Sequence, residues 1–366
     1  MTLQASLVKN IFHFDFDART SRGAMRDKTS WFIRIWDEKN PEVFGLGEYG
    51  PLPGLSMDYK PEPEEILRSV VDKIVGRPLP KGVMDLQALH HDFIKLYGNE
   101  FVQQNPAIVF ALETAFLDLL QGGERIIFKN DFINKKAIPI NGLIWMGGLD
   151  FMLQQIEIKI RDGFRCIKLK VGGIDFEKEC DILQYIRRKY YKDNITIRLD
   201  ANGAFKPDDA LYKLKELSKF EVHSIEQPLK QNSQLLPELC RTSPIPIALD
   251  EELIGVAEKG HKEKLLKEIN PRFIILKPAL HGGMYGCKEW IELAESQGIG
   301  WWITSALESN IGLNAISQFA SNYTITMPQG LGTGQIYADN FPSPLIIKKA
   351  ELLYEPRFEW DLSKIN

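Results

Sequence analysis

Two stretches decide the fold: Cys166-Ile167-Lys168-Leu169-Lys170, and Ile195-Thr196-Ile197-Arg198-Leu199-Asp200 with Ala201-Asn202-Gly203 behind it. Each is a short apolar run that ends in ionisable side chains and is followed by a segment long enough for one helix. The same texture recurs at Ile138 to Asn141, Val222 to Ile225, Ile245 to Leu249, Phe273 to Leu276, Gly300 to Thr304 and Tyr323 to Met327, giving eight runs between residues 137 and 330. Strands alternating with helices imply parallel pairing through right-handed crossovers, and eight such units close naturally into a barrel. A doubly wound open sheet competes, but no G-x-G-x-x-G follows the first run.

A parallel barrel strand is buried on both faces, so charge inside it should be scarce. Here the runs end in Lys168-Leu169-Lys170, Arg198-Leu199-Asp200, Ile225-Glu226, Leu249-Asp250-Glu251 and Leu276-Lys277. From Lys170 through Asp200, Glu226 and Asp250 to Lys277 the intervals are 30, 26, 24 and 27 residues, each about one β/α unit. Equal intervals put all five groups at one end, and in a barrel that end is the C-terminal mouth, where active sites are built.

Three carboxylates crowded at one mouth repel unless a cation holds them. Each alone could cap the helix after its strand; three together, flanked by lysines, point instead to a metal site. Separate oxygen donors with room for water and substrate suit Mg²⁺, with Mn²⁺ as a substitute, and the absence of His or Cys at these ends argues against zinc. Lys168 and Lys170 are two apart and share a strand face. Two ammonium groups so placed are expected to lower one another's pKa, from about 10.4 toward roughly 7 to 8, where one can accept a proton. With Lys277 across the mouth, the set suits removal of a proton α to a carboxylate while a metal holds the enediolate.

Outward from this core, residues 1–125 read as a smaller α+β unit. Phe12 to Phe16 and Trp31 to Trp36 alternate like strands, and the polar stretch Arg19 to Lys28 between them, carrying Gly23, reads as a loop. Asn105 is the expected N-cap of a helix with Pro106 at its first position, stopped by Gly122-Gly123. His90-His91 reads as a solvent-facing pair. Length agrees: 366 residues make about two domains or one large barrel with additions. With 45 basic and 49 acidic residues the net charge is −4, which argues against a general nucleic-acid binder. No apolar stretch matches a signal peptide or a membrane span. Cys166, Cys180, Cys240 and Cys287 form no C-x-x-C pair, so buried thiols in a reducing cytoplasm are expected. Gly330-Leu331-Gly332-Thr333-Gly334 lacks the lysine of a P-loop; following the eighth run, its backbone amides are expected to receive a second substrate carboxylate.

The series KLK, RLDANG (198–203), EQP (226–228), LDE (249–251) and LKP (276–278), in order behind a capping region, resembles the enolase superfamily, muconate-lactonising subgroup, over nearly the whole chain. Such sites use a Lys or His base with Mg²⁺. The resemblance implies a (β/α)₇β TIM-like barrel over 137–330, closed by an α+β capping domain from 1–125 and completed by about 335–366. It implies Asp200, Glu226 and Asp250 as metal ligands and Lys170 and Lys277 as the acid/base pair, with Lys168 tuning Lys170. Arg198, Asn202, Glu251, Ser305, Gly332 and Thr333 are candidates to touch the substrate or back those groups, and Arg22 and Met25 to select it. Gly47-Glu48, PLPGLS (51–56), TSRG (20–23), Glu308-Ser309 and GLGTG look most like the o-succinylbenzoate synthase family of menaquinone biosynthesis. The region 326–329 lacks the Asp-x-Asp with which dipeptide epimerases hold an ammonium group, which favours a small dianionic carboxylate substrate. The implied activity is a lyase reaction, with an N-succinylamino-acid racemase or a muconate-type cycloisomerase as alternatives. Homo-oligomerisation is a further expectation.

Overall fold

The computed structural model describes residues 2–20, 23–79 and 85–365. The first unit is a three-stranded antiparallel sheet, β1 (Leu3–Thr20), β2 (Gly23–Asp37) and β3 (Asn40–Tyr49), in that order. The expected loop from Arg19 to Lys28 is mostly strand. After a register shift between His13 and Ala18, β1 and β2 stay paired as far as Thr20 opposite Gly23, because an antiparallel ladder satisfies backbone groups that an open loop would leave to water.

This sheet packs on the helix Pro106–Leu120, which is buried on nearly every side. Gly45 and Gly47 of β3 lie directly on its backbone: a Cβ on either would come within 1.8 Å of a carbonyl oxygen, that of Ala115 or Ala111. Pro106 is the first helical residue, but Asn105 is not its side-chain cap. Asp58 Oδ2 accepts from the backbone N of Ala107 at 2.8 Å and of Ile108 at 3.3 Å, whereas Asn105 Nδ2 is drawn back to the Phe101 carbonyl at 2.8 Å. The helix ends as expected at Gly122 and Gly123, both at positive φ. His91 is exposed, but His90 is not a solvent-facing partner to it; its ring stacks on Tyr285 at 4.2 Å.

The second unit is a curled seven-stranded parallel sheet. Its strands are β5 (Gly142–Ile144), β6 (Cys166–Lys170), β7 (Thr196–Asp200), β8 (Ser224–Glu226), β9 (Ile247–Leu249), β10 (Phe273–Leu276) and β11 (Gly300–Ile303), adjacent in chain order. Two of the eight runs move. In the first, β4 (Ile138–Pro139) turns away to pair with the C-terminal hairpin of β12 (Leu345–Lys348) and β13 (Glu351–Tyr354), and the parallel strand begins only at Gly142. In the last, Tyr323 to Met327 forms no strand. Contact falls instead at Gln329 and Gly330, which make isolated parallel bridges to Ile140 and Thr304, one at each edge of the sheet. Pro328, which has no N–H to give a ladder, separates the apolar run from the residues that pair.

The chain's end serves both units. Ile336, Tyr337, Phe341 and Ile365 pack with Phe12 and Phe32 of the N-terminal sheet, while β13 pairs beside the first parallel strand. Among the described residues no helix is long and apolar enough to cross a membrane.

Candidate active site

Register sets the site. Lys170 pairs with Asp200 and Asp200 with Glu226, while Asp250 and Lys277 directly follow β9 and β10, so five strand-end groups share one end of the sheet. Asp200, Glu226 and Asp250 are buried, as are Lys168 and Lys277. Lys168 Nζ lies 2.9 Å from Asp200 Oδ2 and 2.5 Å from Glu226 Oε2, and Lys170 Nζ lies 2.6 Å from Asp200 Oδ2. Lys277 pairs with Asp250.

The charges shape one another. Burial opposes the charge on Lys168, but Asp200, Glu226 and Asp250 outweigh it, so its pKa is raised; the lowering expected from Lys170 does not prevail there. Burial likewise opposes ionisation of Asp200, and Lys168 and Lys170 overcome it, holding its pKa far below the usual carboxylate range. Glu226 goes the other way: burial, then the charge of Asp200, push it up.

Among the described residues no three His, Cys, Asp or Glu side chains already stand as a closed metal cage. The donors nonetheless fit a divalent cation. Glu226 Oε1 and Asp250 Oδ1 are buried and have no hydrogen-bond donor, and lysine ammonium groups lie where the three acids converge. Buried carboxylate oxygens left without a donor are the donor set a hard cation takes.

A layer behind these groups fixes them. Lys170 Nζ donates to Asn202 Oδ1 at 2.7 Å, and Asn202 Nδ2 donates to Glu251 Oε1 at 2.9 Å. Gln227 Oε1 accepts from the backbone N of Asp250 and of Glu252, tying β8 to the carboxylate on the next strand. The backbone N of Lys277 donates to His281 Nδ1 at 2.9 Å. Gln227 and His281 escaped the sequence reading, although the EQP motif contains the first and the second lies one helical turn past LKP.

Lys168, Lys170, Asp200 and Lys277 line a cavity of about 660 Å³, together with Asn202, Ser305, Gly332, Thr333 and Met25. Ser305 Oγ and Thr333 Oγ1 are 2.5 Å apart, so the loops after β11 and after the Gln329-Gly330 bridges meet there. Arg198 is not in the lining: it lies two residues deeper, stacked 4.0 Å over Trp302, with Nη1 donating to the Pro328 carbonyl. Glu251 is not in the lining either but holds Asn202 from behind, and Arg22 lies outside the described residues. Leu52, Pro53 and Leu55 of PLPGLS also line the cavity, whereas Glu48 accepts across the contact between units from the backbone N of Ser309 and Glu308 accepts from the backbone N of Ala306 in its own loop. A second groove of about 870 Å³, between the helices Leu86–Tyr97 and Gly283–Ser296, holds none of the five strand-end groups.

A parallel sheet with three carboxylates and two lysines at its C-terminal end defines a class, and the chain belongs to it: residues 152–353 match the family described as enolase C-terminal domain-like, placing the protein in the enolase superfamily. The chain is 44% identical over 354 residues, 91% of this chain and 94% of the relative, to an o-succinylbenzoate synthase of Desulfotalea psychrophila. The crystal structure of MenC from that organism superposes with a TM-score of 0.82 at 40% identity, over 96% of this chain and 99% of that one. An N-succinylamino acid racemase of Thermus thermophilus is 30% identical over 81% of this chain and 76% of its own length.

Proposed function

We propose that the protein is a magnesium-dependent o-succinylbenzoate synthase: a lyase that removes water in a syn sense from 2-succinyl-6-hydroxy-2,4-cyclohexadiene-1-carboxylate to give o-succinylbenzoate for menaquinone synthesis. One observation carries the reading. The 44% identity to a synthase extends over 91% of the chain, and all five strand-end groups are present at one end of the sheet.

Lys170, in its neutral form, takes the proton α to the ring carboxylate. Lys168, held charged among the carboxylates, keeps positive charge beside it. The proton then sits on Lys170 and is delivered to the departing hydroxyl on the same face, so one side chain serves as base and then acid. Asn202, held by Glu251, keeps Lys170 in place between the two steps. Lys277 supplies a cation against the ring from the opposite side. Magnesium on Asp200, Glu226 and Asp250, or manganese on the same oxygens, would supply positive charge where the substrate carboxylate becomes electron-rich.

We read the seven strands with the Gln329-Gly330 bridges as a (β/α)₇β barrel over 137–330, capped by 1–125 and about 335–366, and we place the protein in the cytoplasm, which fits four free cysteines. The test uses magnesium-loaded protein. It should form o-succinylbenzoate, lose activity with chelator and regain it with Mg²⁺. Lys170→Ala should lower turnover by about 10³-fold or more with an unchanged circular-dichroism melt; undiminished turnover would end the proposal. The Thermus relative supports racemisation of N-succinylamino acids as a second reading, and kcat/KM for the two substrates decides between them.

A further inference from the structure

The rim that carries the strand-end groups continues onto β5. Lys168 and Lys170 reach the cavity from one face of β6, and residues in register with them on a parallel neighbour share that face. On β5 the partner of Lys168 is Leu143 and that of Leu169 is Ile144. Trp145, one residue past the last pair, therefore stands level with Lys170, about 4.8 Å away across the strand spacing. Lys170 in turn pairs with Asp200, and Trp145 lines the cavity with both. Its place is fixed from two sides. Gln155 Oε1 accepts from Trp145 N at 2.9 Å and Gln155 Nε2 donates to Trp145 O at 3.0 Å, so one amide holds both backbone groups where the ladder stops supplying partners. The Phe16 ring of β1 backs the indole in a T-shaped contact, 5.2 Å between ring centres.

The rim itself is divided. The three carboxylates and Lys277 follow one another on β7, β8, β9 and β10, whereas from β11 round to β5 the cavity-lining groups at this level are Thr304, Ser305, Gly332, Thr333 and Trp145, none of them charged. Trp145 is the one large apolar side chain among these five. A substrate that presents its reacting carboxylate to the charged side lays the rest of itself toward the uncharged one. We propose that Trp145 is a specificity-determining residue that carries the succinyl arm of the substrate, the indole face taking the arm's two methylene groups. The glycine-rich loop, bridged beside β5 through Gln329 and Ile140, lies where the arm's carboxylate ends. This rests on the synthase reading and deepens it by naming what selects the arm. An indole held by its backbone and backed by an aromatic ring offers a rigid apolar face at little cost in entropy. Such a contact belongs to binding, so its signature is a KM effect without a matching kcat effect.

The experiment compares wild type, Trp145→Ala and Trp145→Phe as magnesium-loaded proteins, by calorimetry with o-succinylbenzoate and with 2-acetylbenzoate. The second ligand keeps the ring, its carboxylate and the ketone but lacks the rest of the arm. Trp145→Ala should weaken o-succinylbenzoate about tenfold, roughly the worth of two buried methylenes, and 2-acetylbenzoate less than about twofold. Phenylalanine keeps a flat apolar face and should restore binding to within about threefold of wild type. In turnover, Trp145→Ala should raise KM about tenfold with kcat within about threefold. If that variant melts below the assay temperature, Trp145→Leu takes its place and must show the same selective loss. Equal losses for both ligands, or none for o-succinylbenzoate, would overturn the assignment, since a merely loosened mouth weakens both alike. Wild-type protein that binds o-succinylbenzoate through Trp145 yet never dehydrates the substrate would sink the synthase reading alone. Protein that neither binds nor turns over would sink both.

Discussion

Gly47 shows how one missing methyl group sets the packing of strand on helix inside the first unit. Its α-carbon faces the carbonyl of Ala111 so closely that a side chain there must push strand and helix apart, and a backbone cannot rotate away as a flexible side chain would. Gly47→Ala should therefore lower stability by about 3 kcal/mol or more, read as a fall in the urea midpoint. Gly148→Ala, with negative φ and open space around its Cβ position, should stay within about 1 kcal/mol of wild type. The five strand-end groups were legible because their chemistry contradicts their setting: charge at the end of a buried strand has few explanations. Gln227 and His281 were not legible, since an amide and an imidazole beside a strand end look like any polar residue until the fold sets them against the backbone of Asp250 and Lys277. Asn105 misled for a related reason. Its capping propensity is real, but Asp58, 47 positions away in sequence, supplies the oxygen.

At the scale of elements, three helices take their N-terminal partners from side chains remote in sequence. Asp58 serves the helix Pro106–Leu120. Glu113, on that helix, accepts from the backbone N of Met284 and Tyr285 at the start of Gly283–Ser296. Glu48 of β3 accepts from the backbone N of Ser309 at 2.9 Å and of Gly312 at 3.1 Å, and from Ser309 Oγ at 2.6 Å, at the start of Asn310–Ala320. A carboxylate at a helix N-terminus meets unsatisfied N–H groups and the positive end of the dipole. Glu48→Gln places an amide N–H₂ against those donors and should cost about 2–3 kcal/mol, seen as a lower thermal midpoint with secondary structure retained. A midpoint equal to wild type would show that Glu48 does not join the units. Of the eight strands read from the sequence, the two that moved were the first and last. They lie at the sheet's edges, where pairing depends on what the rest of the chain brings alongside; an apolar run reports burial but not its partner.

At the scale of the whole molecule, buried carboxyls inside the first unit and at its junction with the second make stability depend on pH. Burial, the leading cause in every case, pushes Asp118 up to about 6, Asp58 and Glu308 to about 7 and Glu113 to about 8. Opposing pulls come from Arg125 on Asp118, from Lys28 on Glu308, and from the backbone N–H groups that Asp58 and Glu113 accept from. A raised carboxyl binds its proton more tightly folded than unfolded. Its contribution is therefore complete below about pH 4 and is lost as pH climbs through the folded value. Asp200 and Asp250, held low by burial-opposing lysines, stay ionised in this range and add no slope. Urea midpoints should thus fall between pH 6 and pH 9, and Glu113→Gln, which keeps a neutral side chain at every pH, should flatten the fall. A flat wild-type profile would contradict this.

Gln329 and Gly330 have a further consequence. The backbone N of Gln329 donates to the Pro139 carbonyl and that of Gly330 to the Ile303 carbonyl, so a few peptide groups stitch together the two margins of the parallel wall. Two residues later the same strand of chain supplies Gly332 and Thr333 to the reaction chamber. The seam and the selectivity of the chamber are thus cut from one piece, and evolution cannot reshape the second without tugging on the first.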